Sequence, residues 1–149
     1  MRFAKKVAIA VELDNELYEV LKDIRDMDFL NRAEVNIVHV STVISYSFAV
    51  AGLPLSYPLE EDRERIRETV MGTLKKKAAE FLPDGLAEKV HYHCLFSEDP
   101  KRGFAHYVEK NGIDLVIVAT KQKHGFFESS FAHYVNKQTK ADVLMLKKN

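Results

Sequence analysis

From Asp114 to Leu146 the chain reads DLVIVATKQKHGFFESSFAHYVNKQTKADVLML: an apolar strand, a polar loop, an amphipathic helix and a second apolar strand. This succession is the βαβ unit of a parallel sheet, because parallel neighbours need a crossover that a helix supplies. The loop leaving the first strand and the start of the helix form a natural cradle for an anion. Yet Gly125 is the only glycine between Asp114 and the C-terminus, and a loop that wraps phosphate needs several to bring its backbone close to the ligand. The segment that points to anion binding withholds the residues for it.

The preceding chain alternates in the same way. Residues 7–11 are a continuous apolar run, as expected of a strand buried on both faces. Over 15–30, Leu17, Val20, Leu21, Ile24 and Met27 recur at helical spacing and predict a first helix, with Asp14 or Asn15 as its cap. VNIVHV at 35–40 is the second strand. Residues 41–58 break both periodicities, contain Gly52, Pro54 and Pro58, and read as a long, partly ordered loop. Its many apolar and aromatic residues would be costly to expose, so it is expected to fold back over the sheet edge, a partner or membrane-surface contact being the alternative.

A long amphipathic crossover helix is predicted over 59–82, with Leu59, Ile66, Val70, Leu74, Ala78 and Phe81 at helical spacing, ended by Pro83, Asp84 and Gly85. The charge run from Glu60 to Glu68 reads as its solvated face, with pairing between residues four apart. The third strand is expected at 90–96, a shorter helix at 100–110 with Pro100 in its first turn, the fourth strand at 115–119, the last helix at 129–138 and the fifth strand at 143–146. Alternating strands and helices predict a three-layer α/β sandwich with helices on both faces of a parallel sheet, built as one domain over 1–149.

Charge narrows the function. Lys plus Arg and Asp plus Glu number 22 each, so there is no global basic field of the kind that holds nucleic acid or anionic membrane. No apolar run approaches membrane-spanning length, and the N-terminal stretch lacks the pattern of a signal peptide. The single Cys94 rules out an internal disulfide, and the expected address is the cytoplasm.

The opening KVAIAVELD, the IVHV and IDLVIVA strands and the closing SSFAHYVNKQTKADVLML together resemble the universal stress protein family over nearly the whole chain. That resemblance implies a Rossmann-like sheet, of the adenine nucleotide alpha hydrolase kind, with strand order 3-2-1-4-5. Strands one and four would flank the switch point, with Glu12, Leu13, Ala119 and Thr120 at its crevice. Nucleotide-binding members carry a strand-one aspartate and a glycine-rich stretch that ends in glycine followed by Ser or Thr. Transferred by position, the aspartate falls at Glu12, the glycines at Thr120, Lys123 and Ser129, and the hydroxyl at Ser130. A Cβ at such positions costs roughly 1 kcal/mol or more each. The chain therefore resembles the branch that does not bind ATP, and its function is expected to be non-enzymatic, a stress-response role exerted through protein contacts with a degenerate nucleotide site and no cofactor. The alternative is an adenine-nucleotide binder, with or without slow hydrolysis, with Glu12 toward the base and Lys121, Lys123, Ser129 and Ser130 toward phosphate. A metabolic enzyme on the same fold is a third class.

Other candidates read as structural. Ser129 and Ser130 suit a helix N-cap; Lys121, Lys123 and His124 can attract a phosphate as point charges or stand solvated. His91 and His93 share one strand face but cannot fill a metal shell, His39 reads as a packed, hydrogen-bonded residue, and Cys94 as a small buried hydrophobe. No catalytic group and no metal site emerges. Val143, Leu144, Met145 and Leu146 would form an uncharged edge strand, which invites pairing with a second copy; the resemblance implies a homodimer through this strand, while the basic tail at 147–148 could blunt it.

Overall fold

In the computed structural model the strands are β1 (Lys6–Ala10), β2 (Glu34–Thr42), β3 (Ile44–Val50), β4 (Leu53–Tyr57), β5 (His91–Ser97), β6 (Leu115–Lys121) and β7 (Asp142–Lys148). The helices are α1 (Asn15–Leu21), α2 (Glu60–Phe81), α3 (Pro100–Asn111) and α4 (Gly125–Gln138). The structure describes residues 4–50, 53–121 and 125–148, with the backbone alone described at 45–50, 53–57, 121, 125–129 and 148.

Five strands form one parallel sheet in the order β5-β2-β1-β6-β7. Numbered among themselves these are 3-2-1-4-5, the order that the resemblance implies. Alternate residues of each strand feed two cores. Val7, Ile9, Ile37, Ile117 and Cys94 pack beneath α1 and α2 with Leu17, Leu74 and Phe81. Ala8, Val38, Val116 and Val118 face Phe104, Val108 and Val135 of α3 and α4. This two-sided burial is why the strands read as continuous apolar runs.

The predicted first helix proves shorter. Asp14 caps α1 by accepting from the Glu16 N–H at 2.8 Å, but after Leu21 the chain tightens into two 3-10 turns, Lys22–Asp26 and Asp28–Arg32. Met27, at φ −88° and ψ 86°, leaves the helical region between them. Asp23, Asp26, Asp28 and Asn31 are poor helix formers that compete for the backbone, yet Ile24 and Leu30 still reach the core fully buried. The apolar spacing was a true signal of burial and not of one continuous helix.

Residues 41–58 also differ from the expected loop. β2 runs on to Thr42, and β3 and β4 pair antiparallel as a separate hairpin, with Ile44 opposite Tyr57 and Tyr46 opposite Leu55. Its irregular register between Tyr46 and Ala49 hides the alternation that would have marked two strands. In α2 the ion pairs run between residues three apart, Glu60 with Arg63, Asp62 with Arg65 and Glu64 with Arg67, instead of four.

Among the described residues, one buried polar atom lacks a partner. Tyr18, 4% exposed, lies against Phe81 with ring centroids 6.5 Å apart, and its hydroxyl makes no hydrogen bond. Burial, followed by the Asp14 and Glu80 carboxylates, holds its pKa above the usual tyrosine value. An unsatisfied buried hydroxyl costs about 1–3 kcal/mol, whereas the ring alone packs favourably. Tyr18→Phe should therefore stabilise the protein by about 1 kcal/mol; a lowered urea midpoint would show that the hydroxyl has a stabilising partner.

Candidate functional site

At the centre of the sheet, β1 leads toward β2 while β6 leads toward β7, so the two crossovers part and leave a crevice above the strand ends. The backbone closes one side of it. Val11 donates its N–H to Val38 O at 2.9 Å, and the Val11 carbonyl in turn accepts from His39 Nδ1 at 2.9 Å. A carbonyl only accepts, so Nδ1 of His39 carries a proton.

The crevice encloses about 80 Å³ and is lined mainly by hydrocarbon from β1, β2 and β6, with Leu17 and Leu21 below and Phe104 and Phe131 above. Glu12 and His39 are its polar side chains. Phe104 and Phe131 meet with centroids 5.3 Å apart. Gly103 lets α3 sit close to the end of β5: a Cβ at Gly103 would come within 2.7 Å of the Ser97 Cβ. Small-molecule sites commonly occupy about 300–1,000 Å³. The roughly 80 Å³ here lies below that range.

Of the residues expected at the crevice, Glu12 and Ala119 line it. Leu13 is 46% exposed and is not among the lining residues. Thr120 is buried as a member of β6, opposite Lys147, so the strand continues where a phosphate loop would begin. Ser130 is half-buried in α4 and also is not among the lining residues. Because α4 already starts at Gly125, Ser129 and Ser130 lie inside the helix, which corrects the expected start at 129 and the N-cap role. Lys123 and His124 lie outside the described residues, and of Lys121 and Ser129 only the backbone is described. Sequence reading missed Phe104, Phe131 and His39 as crevice walls. His39 was legible as a packed residue, but only the crossovers bring the three together.

A doubly wound parallel sheet with a crevice at its switch point defines the class of Rossmann-like α/β folds. The chain belongs within it to the universal stress protein family, which it matches over residues 4–147. Solved structures share the fold. A hypothetical protein, PH0823, has a TM-score of 0.65 at 20% identity, covering 97% of this chain and 96% of its own. A universal stress protein in complex with cAMP has 0.62 at 13%, covering 97% and 98%. The universal stress protein from Archaeoglobus fulgidus in complex with dAMP has 0.54 at 14%, covering 98% and 100%. No curated protein matches the sequence. Among the described residues no helix is long and apolar enough to cross a membrane, and no group of three or more His, Cys, Asp or Glu could hold a metal ion.

A second set of titratable groups gathers at the other end of the sheet. His93 Nε2 lies 3.1 Å from Asn36 Oδ1, and its ring is 5.4 Å from that of Tyr107. His91 Nε2 lies 4.0 Å from Glu34, which also pairs with Lys6 at 3.7 Å. Burial, then the Glu34 carboxylate, pushes the Tyr107 hydroxyl up to about 12. Burial also lowers the His93 pKa, repulsion from His91 adds to this, and Glu34 opposes it. A histidine whose pKa is lower folded than unfolded binds its proton more readily in the unfolded chain. Its contribution is complete above 6.5 and is lost as the pH falls through that value. The urea midpoint should decline from neutral pH toward pH ~5.5, and His93→Gln should flatten that decline. An equal slope in both proteins would remove His93 as its cause.

Proposed function

We propose that this universal stress protein is a non-enzymatic homodimer that acts in stress response through protein contacts, its crevice having lost the nucleotide role. The observation that carries the reading is the crevice itself: about 80 Å³ enclosed by Phe104, Phe131 and aliphatic side chains. An adenosine needs several times that room, and moving two packed aromatic rings aside would expose or strain both. The loss of backbone access supports it too, since Thr120 is held in β6 and no glycine follows until Gly125. The dimer is assigned to β7, whose edge carries Val143, Leu144, Met145 and Leu146. A cytoplasmic address belongs to the same reading, a lone buried Cys94 being at ease in a reducing compartment.

A second reading, an adenine-nucleotide binder, draws on Glu12 at the crevice rim and on relatives of the same fold that hold cAMP and dAMP. The two readings separate in a calorimetric titration of the purified protein with ATP and magnesium at physiological salt. No heat is expected up to millimolar ATP; saturable binding at micromolar concentration would overturn the degenerate-site reading in favour of the second. Sedimentation equilibrium should give twice the 17.1 kDa chain mass, and a monomer at tens of micromolar would sink the dimer.

A further inference from the structure

The polar groups of the crevice stand together beside Val11. Glu12 follows it in the chain, and His39 donates from Nδ1 to its carbonyl at 2.9 Å. Elsewhere the wall is hydrocarbon, from Leu17, Leu21 and Val118 and from the rings of Phe104 and Phe131. With its proton on Nδ1, the neutral His39 ring carries a lone pair on Nε2. Among the described residues nothing bonds to Nε2. It is not sealed in either, because the Tyr18 hydroxyl is the one buried polar side-chain atom there without a partner. Glu12 already has a partner of its own. His39 thus leaves an open acceptor at the side of an apolar hollow.

Water fills such a space poorly. A held water needs roughly two to four polar partners, and here they stand on one side only. Replacing poorly held water by hydrocarbon is favourable, provided that the hydrogen bond on offer is still made. Both polar side chains of the wall accept, so the complementary ligand donates. An ammonium head would bring its charge against hydrocarbon, with Glu12 already engaged, which favours an uncharged donor. Size narrows the class further. An apolar cavity of about 150 Å³ takes benzene, and the crevice has about half of that, which suits a chain of about three or four carbons.

We infer that the crevice binds a short-chain alcohol, the hydroxyl donating to His39 Nε2 and the hydrocarbon lying against Phe104 and Phe131. This goes beyond the reading above and does not depend on it, since neither the dimer nor the response to ATP enters the geometry. The test is a titration of the isotope-labelled full chain with ethanol, n-propanol and n-butanol, followed by NMR through its methyl and histidine signals. Saturable shifts should be confined to crevice methyls such as those of Val11, Leu17 and Val118 and to the His39 ring. A millimolar Kd is expected for n-butanol, weakening about fourfold for each methylene removed.

Methyl propyl ether, an isomer of n-butanol that has no donor, should bind at least ~5-fold more weakly. Butylamine, charged at neutral pH, should also bind more weakly than n-butanol. Ala10→Leu puts bulk into the crevice from β1 and should abolish binding; Ala119→Val reads the same effect from β6 if Ala10→Leu does not fold. Shifts that stay linear up to ~100 mM alcohol, or that persist in the filled variants, would mean association at high concentration only and overturn the site. An ether that binds as tightly as the alcohol overturns the His39 contact. Tighter binding of butylamine overturns the uncharged class.

Discussion

Everything in this fold follows from the burial of β1 on both faces. Val7, Ala8 and Ile9 have no exposed surface, so their backbone groups can be satisfied only by strands on either side. β2 and β6 fill those places. Asp114 then fixes where β6 starts: its carboxylate accepts from the Lys5 and Lys6 N–H groups at 3.0 and 2.9 Å, while its own N–H reaches Lys6 O. A slip of one residue would turn each alternating side chain from one helical layer to the other. With the N-terminal ends pinned, the C-terminal ends fall in a set place, and the crevice walls are whatever those ends and the crossovers carry.

The crevice is built from packed side chains. β6 runs on through Thr120, and the rings of Phe104 and Phe131 stand on one side of the crevice. Aromatic burial is favourable in its own right, so these walls also serve the core. His39 takes part as a clasp between β1 and β2 through the Val11 carbonyl.

Much of this was legible from residue order. Strand–helix alternation predicted the five parallel strands, and the switch from continuous to three-four apolar spacing separated strands from helices. Asp14 and Pro100 marked two helix starts that the structure retains. Three kinds of information were not local enough to read. The first helix breaks at Met27 although its apolar spacing continues to Leu30, because burial and helical backbone are separate demands. The hairpin was obscured by its irregular register. The crevice lining comes from residues as far apart as Val11, His39, Phe104 and Phe131, which only the assembled sheet makes neighbours.

The hairpin between β2 and α2 is hydrogen-bonded within itself and forms no rung of the main sheet. Val43 donates to Ser97 O at 2.8 Å at the point where the chain departs, and Pro58 is buried where it returns. The fold thus presents a segment without a charged residue, from Ile44 to Tyr57, between the anchors at Val43 and Pro58. Changes in its length or composition leave the parallel register untouched. Evolution can vary this segment at little risk to the scaffold, which makes it the natural place for lineages sharing the fold to diverge.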